Sequence, residues 1–295
     1  MSAPEHPEIE ITKAHEAQVG DLTVRRALPR AARRTVGAWC FADHLGPVTV
    51  TSEHGLDVGP HPHMGLQTVT WLIEGAALHR DSLGSEQLLE VGQLNLMTAG
   101  HGVSHSEEAT GRFAGQLQGI QLWIAQPDAT RHEPPAFEHH AVLPQIELGG
   151  ATATVLVGAV EGATSPARHD TALVGADLDL RAETVVPLEP TFEHALVVLE
   201  GSVRVQGRVL RPGHLGYLGS ARDELVLEVA EPARAVLLGG EPFVEPLQMW
   251  WNLIGRRRDE LIDAYGSWEI EDGRFGTVAS PLPRILTTPP RPAPR

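Results

Sequence analysis

Two short segments of this chain place histidine and glutamate at a spacing that can bind a metal ion. HPHMG sets His61 and His63 two residues apart. In a β-strand, residues i and i+2 point to one face, about 6.6 Å apart along the strand. Two imidazoles so placed can converge on one ion, each nitrogen about 2.1 Å from it. TAGHGVSHSEE repeats the spacing with His105 and Glu107. If the two strands are neighbours, three imidazoles and one carboxylate face a common point. That donor set suits Fe(II), Mn(II), Ni(II), Co(II), Cu(II) or Zn(II), and an octahedral ion held by it keeps two positions open for substrate and O2. A lone H-x-H is more often a coincidence of a loop. Its repetition in two Gly-flanked segments carries the metal reading.

The remaining candidates are read more blandly. His101 lies in a Gly-bounded turn four residues before His105 and reads as a residue that supports a ligand or simply serves the loop, rather than as a ligand itself. His79 and Asp81, in LHRDSLG, read as a hairpin hydrogen-bond network, and His132, His139 and His140 as solvated positions of a Pro/Glu-rich linker. Cys40, the one cysteine, reads as a buried inert thiol and excludes both an intrachain disulfide and a thiolate zinc site within one chain. No P-loop, G-x-G-x-x-G fingerprint or G-x-S-x-G elbow is present.

The elements that must position the histidines are strands. Gly 30 and Pro 23 break the chain into short runs of β-branched and large apolar residues, as at 67–73, 121–125, 153–157, 195–199 and 224–229. TVTWLIEG, ending at Gly75, is echoed by HALVVLEG, ending at Gly201, which predicts two similar antiparallel barrels. The first, residues 1–135, carries the metal site and closes near the loop 126–138. The second, residues 136–295, adds a helix at 258–268 with Leu261, Ile262 and Tyr265 on its apolar face, and a Pro-rich tail extended over the surface. Aligning the halves sets Pro187 and Glu189 against His61 and His63, and Val226 and Glu228 against His105 and Glu107, so no second metal site is expected. A net charge of −15 argues against binding nucleic acid or anionic lipid through bulk charge. The first residues lack the apolar core of a secretory signal and no run reaches the about 18 apolar residues of a membrane span, so a cytoplasmic protein is expected, as a monomer.

The motifs also resemble a known family. Gly55, His61, His63 and Gly75 are similar to the first cupin motif, although Gln67 or Thr68 stands at its acidic position and four residues, not two, separate Gly100 from His105. Those departures fit the pirins, whose segments resemble VRRALP (24–29), FADHLGP (41–47), HPHMGLQTVTWLIEG, LHRDSLGS, LMTAGHGVSHSE and GIQLWI (119–124), with LLGGEPFVEP (237–246) and GRFG (273–276) in the second half. The resemblance implies an all-β bicupin of two cupin-type barrels with a short C-terminal helix. It places the family's metal ligands on His61, His63, His105 and Glu107, with one divalent ion per chain and iron the first choice. Met64, Leu66 and Gln67 stand where many pirins have Arg, Phe and Glu, and are expected at the cavity mouth.

Two functions follow from the resemblance. One is a metal-dependent dioxygenase of the quercetin 2,3-dioxygenase type. It would act on a flavonol or related enolisable phenol and O2, with Glu107 as ligand and general base. The other is a redox-sensitive regulatory protein that acts on a protein partner.

Overall fold

The computed structural model describes residues 7–20 and 22–290. Among them the regular structure is antiparallel strand with one α-helix, Arg258–Ile270. One seven-stranded sheet runs, in spatial order, Ala136–His140, Leu94–Thr98, Leu66–Glu74, Gly115–Ala125, Trp39–Val50, Leu22–Leu28 and His15–Val19. Facing it is a four-stranded sheet in the order Val58–His63, Val103–Glu108, Ala76–Asp81 and Glu86–Glu90. Leu22, Val24, Leu45, Leu72 and Leu117 from the large sheet meet Val58, Ala77 and Leu89 from the small one in a shared core.

The second half repeats this plan around a seven-stranded sheet from Glu10–Lys13 to Gln145–Glu147. The paired strands Thr184–Pro187 and Glu224–Leu227, with the hairpin Val203–Val205 and Arg208–Leu210, cover its core. The two halves therefore share one antiparallel plan, as the expected pair of cupin-type barrels requires. Among the described residues the ladder hydrogen bonds do not run continuously round either half, so each is a sandwich of separate sheets rather than a closed barrel.

Local sequence explains the layering. Ala76–Asp81 alternates half-buried and buried positions, so His79 and Asp81 point inward while Arg80 points out to Glu86 and Glu108. Leu66–Glu74 is buried along nearly its whole length because it has a core on each side. Gly75 turns this strand into the next with φ +91°, a conformation costly for any residue with a Cβ.

The two large sheets pack against one another in a single apolar cluster that includes Trp71, Ile120 and Leu122 from one and Val197, Val236 and Leu238 from the other. Trp39 crosses this junction and its Nε1–H donates to the carbonyls of Val174 and Gly239, both at 3.1 Å.

Around the division expected near residue 135, sheet membership crosses in both directions. Glu10–Lys13 pairs with His214–Tyr217 of the second half, while Ala136–His140 extends the first half's sheet beside Leu94–Thr98. His139 and His140 are therefore half-buried strand residues rather than solvated linker, and His139 Nδ1 lies 2.8 Å from Asn95 Oδ1. The helix forms where expected but rotated, burying Leu261, Ala264 and Trp268 and leaving Ile262 exposed. Of the Pro-rich tail, residues 291–295 lie outside the described residues. The preceding part is a strap on the first half: Ile285 N–H donates to Pro60 O at 2.8 Å, and Trp268 Nε1–H to Ile285 O at 3.0 Å.

Candidate metal centre

Val58–His63 and Val103–Glu108 are neighbours, and their antiparallel register sets His105 opposite His61. His105 and Glu107 keep an unbroken register against Asp81 and His79 of Ala76–Asp81, so strand alternation turns both side chains of the H-x-E pair to the interior. His61, His63 and His105 are all buried, with ring nitrogens within 4.8 Å of one another. His63 Nε2 and His105 Nε2 stand 3.0 Å apart. Two donors at right angles around an ion about 2.1 Å away would be about 3.0 Å apart, so this separation fits a shared ion. His61 Nδ1–H donates to Gly59 O at 2.8 Å, which fixes the tautomer and leaves Nε2 with a free lone pair.

The electrostatics also suit a cation. Burial lowers His61 to about 4, and burial with neighbouring imidazoles holds His63 and His105 well below the ordinary histidine value. All three rings are therefore neutral donors at physiological pH. Burial pushes the Glu107 carboxyl up to about 7, against an opposing hydrogen bond with Thr70. Its carboxylate stands outside the three-histidine group but lines the same cavity. These donors fit a first-row transition ion: three neutral imidazoles, and a carboxyl whose charged form a nearby cation would favour.

The cavity has a volume of about 300 Å3. One wall is the stacked pair Phe41 and Trp123, ring centroids 3.8 Å apart, and the Trp123 ring meets His63 edge-on at 5.2 Å. Arg26 lies over Phe41 and forms a two-point ion pair with Asp43 at 2.8 and 2.7 Å. Gln121 adds an amide, while Trp251, Asn252 and Ile285 of the second half complete the wall.

Comparison with known proteins places the chain in a family. The family described as Pirin matches residues 21–124, and the Pirin C-terminal cupin domain matches residues 173–276. The chain belongs to the pirin family. A relative from Pseudomonas aeruginosa, named provisionally as a quercetin 2,3-dioxygenase, is 46% identical over 95% of this chain and 89% of its own. A pirin-like protein of Caulobacter vibrioides is 35% identical over 87% of this chain and 91% of its own. Among solved structures, a quercetin 2,3-dioxygenase from Acinetobacter baumannii superposes with a TM-score of 0.92 at 44% identity, covering 97% of each chain. A bacterial pirin from Escherichia coli, solved with nickel(II), shares the fold with a TM-score of 0.65 at 17% identity, over 80% of this chain and all of its own.

Within this pirin, the residues expected at the cavity mouth lie elsewhere. Met64 is buried with Leu253, Leu261, Trp268 and Phe275, and Leu66 packs in a cluster with Phe41 and Trp123. Gln67 Nε2 donates to Thr98 Oγ1 and to the Arg168 carbonyl of the second half. None of the three lines the cavity. His101 is an exposed loop residue with Nδ1 3.1 Å from Glu133 O, and Cys40 is fully buried, its thiol pushed up to about 12 by burial.

The sequence reading missed Phe41, Asp43, Gln121 and Trp123, although the signal was there. Each lies at period-two spacing in its strand, as His61 and His63 do. In the second half, Pro187 pairs with Glu224, so Glu224 rather than Val226 occupies the register position of His105. Glu228 is half exposed, 3.8 Å from the Arg204 guanidinium.

Proposed function

We propose that this pirin is a metal-dependent dioxygenase acting on a flavonol or a related enolisable phenol, with His61, His63, His105 and Glu107 holding one divalent ion, iron first. The observation that carries the reading is the convergence of neutral imidazole nitrogens, with a carboxyl at about 7, on a cavity walled by stacked aromatic rings. The names of the Pseudomonas and Acinetobacter relatives support the same reaction class.

The bound ion supplies Lewis acidity toward a substrate hydroxyl and a redox partner for O2 chemistry. The chain's own residues do the rest. Phe41 and Trp123 offer a flat apolar wall to a planar aromatic substrate. Asp43, held by Arg26, and Gln121 supply polar contacts that orient it. Glu107, whose carboxyl lines the cavity beside the three imidazoles, takes the proton of the hydroxyl. Trp251 and Ile285 close the wall against water.

The test is anaerobic binding of quercetin to iron-loaded protein, followed by O2 uptake normalised to metal. Glu107→Gln should retain binding and lose about 10²–10⁴ in turnover. Turnover at the wild-type rate per metal would place the base elsewhere. Failure of the wild type to bind or oxidise quercetin with iron, nickel, manganese, copper or cobalt would favour the regulatory role.

A further inference from the structure

The protons around the three imidazoles lead to residues beyond the ligand set. A neutral imidazole carries one N–H, so a ring that offers a lone pair to an ion keeps its proton on the other nitrogen. His61 does this through Gly59. His105 aims Nε2 into the site, and its Nδ1 lies 3.4 Å from His79 Nδ1. His79 Nε2 is in turn 3.1 Å from Asp81 Oδ2. Asp81 Oδ1 accepts the backbone N–H groups of Leu83 and Ser85, both at 2.9 Å, which anchors the carboxylate in the hairpin turn.

With both rings singly protonated, this chain of contacts has one consistent arrangement of protons. A carboxylate accepts only, so His79 keeps its proton on Nε2. His79 Nδ1 is then an acceptor, so His105 keeps its proton on Nδ1. That leaves His105 Nε2 bare toward the site. The fold holds these groups in place: the register sets His105 opposite Asp81 and Glu107 opposite His79, so all four share the interior face. The His79 ring is stacked on Phe137 with centroids 4.4 Å apart and planes 14° apart. The side chains of His79 and Asp81 are 7% and 0% exposed, and neither lines the cavity.

We propose that Asp81 and His79 are positioning residues of the metal centre, holding His105 in the orientation and tautomer that present Nε2 to the ion. The inference rests on His105 being a ligand and extends that reading to a pair that does not itself touch the ion. Asp81→Asn tests it directly. The amide keeps an oxygen for the turn but replaces the other with an NH2 donor. His79 must then accept on Nε2 and donate from Nδ1, which moves the His105 proton onto Nε2. The same reversal disables a catalytic histidine when its partner aspartate becomes asparagine.

Two readouts separate the possibilities. Nitrogen-15 NMR of the metal-free protein reports the His105 tautomer, expected as Nδ1–H in the wild type and as Nε2–H in Asp81→Asn. Cobalt(II) titration against a competing chelator reports affinity, expected to fall about 10–100-fold in the variant. His79→Phe keeps the stack on Phe137 but removes the acceptor, and should also weaken cobalt. His79→Asn returns an acceptor oxygen near the place of Nδ1 and should recover most of the affinity. An unchanged tautomer with unchanged affinity in folded Asp81→Asn or His79→Phe would overturn the proposal. If the wild type binds no cobalt, the metal reading fails, and the tautomer measurement alone decides whether the hydrogen-bond chain exists.

Discussion

The Glu107 carboxyl gives the metal centre a measurable signature without any activity. Its ordinary value of 4.5 rises to about 7 because burial disfavours the charged form. At about 1.4 kcal/mol per pH unit, ionised Glu107 destabilises the metal-free protein by about 3 kcal/mol. The residue keeps some exposure toward the cavity, so this is an upper bound. Below pH 4.5 the carboxyl is protonated in both the folded and unfolded chain, and the penalty is absent. It grows between pH 4.5 and 7, where the folded chain binds the extra proton, and is complete above 7. The buried histidines act in the opposite sense, because their lowered values make the folded chain lose stability as pH falls below 6.5. Comparison with Glu107→Gln cancels that contribution. Metal-free Glu107→Gln should therefore gain on the wild type as pH rises from 5 to 8, reaching about 6–12 °C in thermal midpoint. Adding Fe(II) without oxygen should reverse the order, since a neighbouring cation favours the carboxylate and displaces its proton. Scanning calorimetry across pH, with and without metal, makes the measurement. Parallel midpoints for the two metal-free proteins from pH 5 to 8.5 would refute the reasoning.

Three further outcomes are expected. Purified protein should carry about one transition ion per chain, and His63→Ala with His105→Ala should lose it while the fold persists, because the apolar cores exclude both residues; stoichiometric metal in the double variant, by elemental analysis, would contradict the site. Gly59→Ala would set a Cβ 2.1 Å from Pro283 O, so the strap must shift; a loss of about 1–3 kcal/mol and faster proteolysis of the tail should follow, and an unaltered digestion pattern would count against that contact. Trp251 holds a left-handed φ of +51° while lining the cavity, an arrangement costly for a bulky side chain. Trp251→Gly should weaken quercetin binding and leave metal content intact, and undiminished binding would remove Trp251 from the substrate wall.

The site was legible in the sequence to the extent that it follows a local rule. His61 with His63, and His105 with Glu107, each share one face because strand side chains alternate. The same rule, applied to FADHLGP and GIQLWI, finds Phe41, Asp43, Gln121 and Trp123. It fails at Met64, Leu66 and Gln67 because the chain turns at Gly65 with φ +70°, between one sheet and the next. Parity counted from His63 does not survive such a turn, and Gln67 ends facing the second half. The helix was found from its pattern but misphased. Its buried stripe is set by a cluster that includes Met64, remote in sequence.

What no local rule could show is that the metal-bearing half does not enclose its own cavity. Trp251 and Asn252 come from the turn between the strands Gln248–Trp250 and Leu253–Gly255. That hairpin is tied to the first half where Ile254 N–H donates to Met64 O at 2.9 Å. Ile285 reaches the same cavity along a strap bonded to Pro60, one residue before His61. The second half therefore lines the cavity that the three imidazoles face. A lone first half would keep its three imidazoles but present them through an opening to water, where Glu107 would lose the burial that raises it toward 7. The duplicated fold joins these roles: one copy places the donors, and the segment following the other sets the dielectric in which they act.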